Sequence, residues 1–325
     1  MMNCRTVSGA AAVLLAAVLH VGPLAGAADA EETLTLAVGQ RGNWNTGIAA
    51  LGQRAGIFRK HGLALEILYT AGGGETQQAV LAGAVDIGTA IGTMGALSAY
   101  AKGAPLRIIA AETTGGADYW YVATASPIRT LRDSDGKTLA YSTAGSSTES
   151  VVRAFMRELG LKARPVATGG PVPTLTQVMT GQIDVGWSTP PLGLKEIDQG
   201  KIRVVARASD LAVVRGQTIR VLATRADVLD KRRDAILRFV DAYRETYEYA
   251  YGDDSKAVAD FADFAGISVD IARRTREMFS KPMLAPDEIK GLDIMMPEAV
   301  ALKFIAAPLT EAQVHELIQI PPPRN

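Results

Sequence analysis

Short apolar runs alternate with amphipathic stretches through most of the chain. Residues 33–38, Thr-Leu-Thr-Leu-Ala-Val, alternate in polarity and predict a strand; 65–69, 106–111, 119–124, 136–141, 165–168, 204–206 and 218–224 predict others. Between them, apolar residues recur at helical spacing over 48–58, 94–101 and 149–159. Gly62, Gly103 and Gly160 stand where those helices would end, and glycine suits the left-handed cap position. Alternation of this kind predicts parallel-rich sheets covered on both faces. From Asp227 the pattern becomes helical alone: one long helix through Tyr251, then starts at Ser255, Ser268, Asp287 and Thr310.

One segment occurs twice. Leu81-Ala82-Gly83-Ala84-Val85-Asp86-Ile87-Gly88 returns as Met179-Thr180-Gly181-Gln182-Ile183-Asp184-Val185-Gly186, each copy after a glycine loop (Gly72-Gly73-Gly74; Gly169-Gly170) and a helix-like run. The pattern predicts helix, glycine cap, short buried strand around the aspartate, then a glycine-opened loop. The two copies lie too far apart for a solenoid and suit paired lobes. Two lobes make a cleft, and clefts hold ligands. The 218–224 strand is expected to cross back to the first lobe.

The amino end changes the picture. Arg5, an apolar run from Ala10 to Val21, and the small-x-small triplets Ala25-Gly26-Ala27 and Ala28-Asp29-Ala30 predict a signal peptide over 1–30 and hence export to the periplasm. The only cysteine, Cys4, lies inside that segment and before its apolar core, so no disulfide, cysteine metal site or lipid anchor is expected. Basic and acidic residues balance at 34 each, without a basic stripe or basic amphipathic helix. Nucleic acid and membrane surfaces are therefore not expected partners, and recognition falls to a local site.

The strongest local feature is Ser142-Thr143-Ala144-Gly145-Ser146-Ser147-Thr148-Glu149, which follows a strand and opens a helix. A helix start offers unpaired N–H groups and partial positive charge. Ser146, Ser147 and Thr148 add hydroxyls, and Gly145 permits close approach, so a carboxylate, sulfonate, nitrate or phosphate group fits there. Plain capping would use only one of them, Ser147 or Thr148. The lysine of a nucleotide-phosphate loop is missing. The loops after the repeated strands carry Thr89, Ile91, Gly92 and Thr93, and Trp187, Ser188, Thr189, Pro190 and Pro191. Ligands of open α/β sheets sit beyond such strand ends. Trp187 either stacks on a flat ligand or lies buried under its own lobe. Trp44, Asn45 and Thr46 occupy an equivalent place after the first strand, and Thr113 and Thr114 end another. Arg41 and Arg215 are candidate anion clamps, although most arginines are merely solvated. The candidate ligand-binding set is Trp44, Asn45, Thr46, Gly92, Thr93, Thr114, Gly145, Ser146, Ser147, Thr148, Trp187, Ser188 and Arg215.

Catalysis finds little support. Past the amino-terminal segment only His61 and His315 remain, no catalytic or metal-ligand motif appears, and no cofactor is implied. Asp86 and Asp184 read as acceptors for loop N–H groups. Tyr243, Tyr247 and Tyr251 read as a packing stripe.

Taken in order, several of these residues resemble one family. Its carriers are Ala55-Gly56-Ile57-Phe58 with Gly62-Leu63, the Gly72-Gly73-Gly74 loop, Gly83-Ala84-Val85-Asp86-Ile87-Gly88, residues 131–137, Gly145-Ser146 before a helix ending Leu159-Gly160-Leu161, and Gly181-Gln182-Ile183-Asp184. Over about residues 33–225 the chain resembles periplasmic solute-binding proteins of ABC importers, in the nitrate/sulfonate/taurine class, which shares its fold with thiamine-pyrimidine precursor binding proteins. The resemblance implies an α/β, two-lobed, type II-like clamshell: two parallel-rich sheets flanked by helices and joined by two crossing strands. Lobe one would comprise 31–124 plus 220–325, with the helical tail packed on it, and lobe two 125–219. It further implies a monomer that closes on a small-molecule ligand, held by its acidic group at Gly145-Ser146-Ser147, and docks on an ABC transporter permease. Two departures stand out. Thr189-Pro190-Pro191 replaces a frequent Trp-Asp-Pro, and Ile91-Gly92-Thr93 lacks a frequent acidic residue. Losing both carboxylates favours a neutral or anionic ligand over an amine, and Trp44 with Trp187 would admit an aromatic one. Enzymes on the same clamshell and sensory binding domains are the alternatives; the former are usually not exported, and the cysteine-rich iron motif of the thiamine-pyrimidine synthases is absent.

Overall fold

The computed structural model describes residues 31–252 and 255–324. The predicted signal peptide, and Cys4 with it, lies outside the described residues. Ten strands form: β1 Glu32–Gly39, β2 Leu63–Thr70, β3 Ile87–Gly92, β4 Leu106–Thr114, β5 Tyr119–Ala123, β6 Thr138–Tyr141, β7 Arg164–Ala167, β8 Gly186–Ser188, β9 Ile202–Arg207 and β10 Thr218–Arg225. The first sheet runs β2-β1-β3-β10-β4, parallel except for β10, which is antiparallel to both neighbours. In the second lobe β8-β5-β9 and β6-β7 are joined by a bridge between Leu139 and Val185. The resulting order, β7-β6-β8-β5-β9, repeats the first sheet strand for strand. In each sheet the antiparallel member, β10 or β5, has just arrived from the other lobe. β5, grouped with the first lobe on sequence, thus hydrogen-bonds into the second. The crossings lie side by side, with the Gly115 N–H donating to the Gln217 carbonyl at 2.8 Å.

The repeated aspartates show what the duplication preserves. Asp86 accepts from the Thr35 N–H and hydroxyl at 2.8 and 2.9 Å, while its own N–H donates to the Thr35 hydroxyl at 2.9 Å. Asp184 makes the same three bonds with Thr138, at 2.9, 2.7 and 2.7 Å. Each clasp ties the segment leading into the central strand, β3 or β8, to the neighbouring strand, β1 or β6. It also displaces the third strand: Val85 and Asp86 precede it, and Ile87–Gly92, read in part as a loop, is the strand itself. Gly83 and Gly181 do end their helices, Gly73–Leu81 and Pro171–Met179, at φ +71 and +75.

The predicted helices mostly form, with three differences. The helix placed from Asp227 to Tyr251 is broken at Arg232 into Ala226–Lys231 and Arg233–Ala250. Asp287 starts none; the next helix is Leu292–Ala301, entered through Gly291 at φ +70. The tail also divides between the lobes. Arg233–Ala250 covers the first sheet, burying Phe239, Val240 and Tyr243 among Leu34, Leu36, Leu51 and Phe58. Leu292–Ala301 instead packs Met295 and Ala299 into the core holding Trp120, Phe155 and Trp187, and Arg157 of the second lobe pairs with Glu298 at 2.7 Å. The tail, expected on the first lobe, thus also reaches the second through Glu298. Among the described residues no helix is long and apolar enough to cross a membrane.

Candidate functional site

The carboxyl ends of β1, β3, β6 and β8 converge on a seam between the lobes. Glycine makes the close approach possible there. A Cβ on Gly92 would lie 2.6 Å from the Ser147 nitrogen and 2.7 Å from the Gly145 carbonyl oxygen, too near for any real side chain. Across the same seam the Gly74 N–H donates to the Thr143 hydroxyl at 3.1 Å. Gly92 and Gly145 thus serve contact between lobes.

The Ser146–Glu149 helix start is capped from within. The Ser146 hydroxyl accepts the Glu149 N–H at 3.2 Å, and the Glu149 carboxylate accepts the Gly145 N–H at 2.6 Å. The Thr148 hydroxyl accepts the Ser142 N–H at 2.9 Å and shares bonds with the Ser142 and Ser146 hydroxyls. Several of the hydroxyls therefore cooperate in one cap, and the N-cap is Ser146, not Ser147 or Thr148.

The remaining candidates separate. Asn45 reaches the Thr113 hydroxyl at 3.4 Å, Thr46 donates to the Gln40 carbonyl at 2.9 Å, and Thr93 donates to the Thr218 carbonyl at 2.6 Å. Thr114 shares a 2.8 Å bond with Thr218, and Ser188 donates to the Leu192 carbonyl at 2.7 Å. These polar groups stay near the strand ends. The tryptophans do not present free rings. Trp44 is fully buried, edge-on to Phe261 with centroids 4.8 Å apart, and its Nε1–H goes to the Tyr251 hydroxyl at 3.0 Å. Trp187 is likewise buried, and its Nε1–H goes to the Gly169 carbonyl at 3.2 Å. Both rings are thus buried in the core, Trp44 against Phe261 and Tyr251. Arg215 is exposed and donates to the Ser209 carbonyl at 2.8 Å, and Arg41 lies 5.3 Å from the centroid of Phe264.

The structure also brings together three charged residues that the sequence reading passed over. Arg220 on β10 and Asp118 in the crossing before β5 are both buried, and one terminal nitrogen of Arg220 meets both Asp118 oxygens at 2.8 Å. Glu112 on β4 is 1 % exposed; one carboxyl oxygen accepts the Ala90 N–H. Ala90 has φ +58, a left-handed backbone uncommon for alanine, next to Gly73, whose absent side chain leaves room for its carbonyl. Burial pushes the Glu112 carboxyl up to about 8, against the opposing pull of Arg220 and the Ala90 N–H. Charges inside Ile108-Ile109-Ala110-Ala111-Glu112 and Ile219-Arg220-Val221 were the available signal, because a charge in an apolar strand needs a partner.

Several polar atoms in this region are buried without any hydrogen-bond partner: Asn43 Oδ1, Asn45 Oδ1, Thr89 Oγ1, Glu112 Oε1 and the second terminal nitrogen of Arg220 from one side, and Thr189 Oγ1 from the other. Beside the crossings, a pocket of about 430 Å³ is lined by Gly116, Tyr119, Pro190, Leu194, Met278 and Met283, among others. Among the described residues no group of three or more His, Cys, Asp or Glu is placed to hold a metal ion.

No curated protein matches the chain by sequence. Solved structures match its fold. The alkanesulfonate-binding protein SsuA from Xanthomonas axonopodis pv. citri, bound to MOPS, superposes with a TM-score of 0.73 at 16% identity, covering 89% of this chain and 98% of that one. The periplasmic aliphatic sulphonate binding protein SsuA from Escherichia coli gives 0.67 at 18% identity, covering 90% and 94%. The periplasmic nitrate-binding protein NrtA from Synechocystis PCC 6803 gives 0.69 at 14%, covering 88% and 86%. The family model described as NMT1/THI5 like matches residues 43–257, more than half of the sequence. The chain therefore belongs to the NMT1/THI5-like family, with the two-lobed fold of nitrate- and sulfonate-class solute-binding proteins.

Proposed function

We propose that this protein is an exported, monomeric solute receptor that captures a small anionic solute, sulfonate-like or aromatic, between its lobes and delivers it to an ABC transporter permease. One observation carries the reading: buried polar atoms without partners, contributed from both sides of the seam. Leaving such atoms bare costs about 1–3 kcal/mol each, so a polar ligand that satisfies them is bound strongly. The paired crossings at 115–118 and 215–217 supply the hinge about which the lobes close. The pocket beside them, walled by Tyr119, Leu194 and Met283, accommodates a carbon skeleton. The sulfonate- and nitrate-binding proteins of the same fold support the anionic class. The protein acts by binding, a reading supported by the solved structures it resembles, which are binding proteins.

A thermal-shift screen of nitrate, alkanesulfonates, carboxylates and aromatic acids tests this. A true ligand at a hundred times its dissociation constant stabilises the fold by about 2.7 kcal/mol. A screen in which no such anion shifts the melting curve, or in which the protein turns one over, refutes it. Export is read separately, from the amino terminus of the protein recovered from the periplasmic fraction.

A further inference from the structure

We propose that Glu112 and Arg220 form an oxyanion subsite in the cleft that takes up its anion together with a proton. This rests on the reading of the cleft as a solute site. The two residues come from neighbouring strands of one ladder, where Arg220 stands opposite Thr113, the residue after Glu112. Both lie near the seam, Glu112 towards the end of β4 and Arg220 just after the start of β10. Asp118 fixes one terminal nitrogen of Arg220 through both carboxylate oxygens and leaves the other terminal nitrogen buried and unpartnered. Ala90 occupies one oxygen of Glu112 and leaves the other unpartnered. A guanidinium held in one orientation, with a free donor, is suited to planar and tetrahedral oxyanions.

The charges decide what else must happen. Arg220 and Asp118 cancel, so Glu112 is the surplus acid. The groups acting on it are Arg220 from β10, the Ala90 N–H from β3 and Tyr243 from Arg233–Ala250, whose hydroxyl burial keeps protonated. An anion accepting from the free nitrogen of Arg220 would sit beside the Glu112 carboxyl. Two negative charges that close, out of water, are not tolerated. Protonated, Glu112 removes the repulsion and offers the anion an O–H donor from its unpartnered oxygen. Burial already sets its midpoint at about 8, so the proton is present at neutral pH and leaves above it. The 430 Å³ pocket reaches Asp118, the carboxylate that holds Arg220, since a Cβ on its lining residue Gly116 would lie 3.1 Å from an Asp118 oxygen.

Isothermal titration of the purified protein with ethanesulfonate and with benzoate, each a single anion from pH 6 to 9, tests the linkage. The association constant of the wild type is expected to fall about tenfold between pH 7 and pH 9, as the protonated fraction of Glu112 drops from about nine-tenths to about one-tenth. At pH 8 about half a proton is taken up per anion, read from heats in buffers of different ionisation enthalpy. Glu112→Gln abolishes both the slope and the uptake. Binding with the same slope in both proteins, or without proton uptake in the wild type, overturns the proposal and leaves the solute-site reading standing. If neither anion binds either protein at pH 6, the reading of the cleft as an anion site falls, and the linkage with it.

Discussion

Glu112→Gln should remove most of the pH dependence of stability between pH 5 and pH 8. In the folded protein the carboxyl is 1 % exposed and its midpoint is raised to about 8, against an ordinary value of 4.5. A raised acid favours folding while it stays protonated in both states. As pH climbs past 4.5 the unfolded chain ionises first, so stability declines until the folded carboxyl ionises as well, near 8. At 1.36 kcal/mol per unit the full effect is about 5 kcal/mol, of which about 3.5 falls between pH 5 and pH 8. The lowered carboxylates, Glu32, Asp184, Glu245 and Asp260 among them, add only a small opposite slope near pH 5 and are common to both proteins. His61 and His315 are common to both proteins and cancel in the comparison. Glutamine matches the neutral acid in shape and keeps an oxygen for the Ala90 N–H, so the variant should fold. Urea unfolding of both proteins at pH 5, 6, 7 and 8 gives the measurement. Parallel curves would mean that Glu112 is hydrated or ionised in the folded state, and the argument from burial would fail.

Other consequences are more local. Gly92→Ala forces the opposing Gly145–Ser147 backbone to move and should cost about 1–3 kcal/mol; an unchanged melting temperature would mean that the lobes do not meet there. Thr35→Val and Thr138→Val each remove the two hydroxyl bonds of one clasp and keep the backbone one, and should cost similar amounts, about 1–3 kcal/mol, because the two clasps are the same device. A large effect at one and none at the other by chemical denaturation would break the equivalence of the halves. Trp44→Ala should cost about 3–5 kcal/mol, as expected of a tryptophan packed on Phe261 and Tyr251; a stability close to wild type would return the ring to the cleft.

Local order carried far in this chain. The repeated helix–glycine–strand unit was legible because a left-handed cap and a short apolar run are written within ten residues of each other, and both copies fold as one motif. Most strands stood within a few residues of their predicted bounds because strand period depends on neighbours in sequence. What tertiary structure alone decided is the identity of the partner. Periodicity says that Trp44 and Trp187 are large and apolar; only packing shows that both rings are fully buried. The glycine loops read as ligand cradles, yet Gly92 matters because another backbone arrives from more than fifty residues further along the chain, at Gly145 and Ser147. Glu112, Asp118 and Arg220 stood in view as charges among apolar neighbours, but their meeting depends on β10 returning between β3 and β4. Burial and charge are properties a segment carries with it, whereas the group that satisfies a buried charge is supplied by whatever the fold brings alongside.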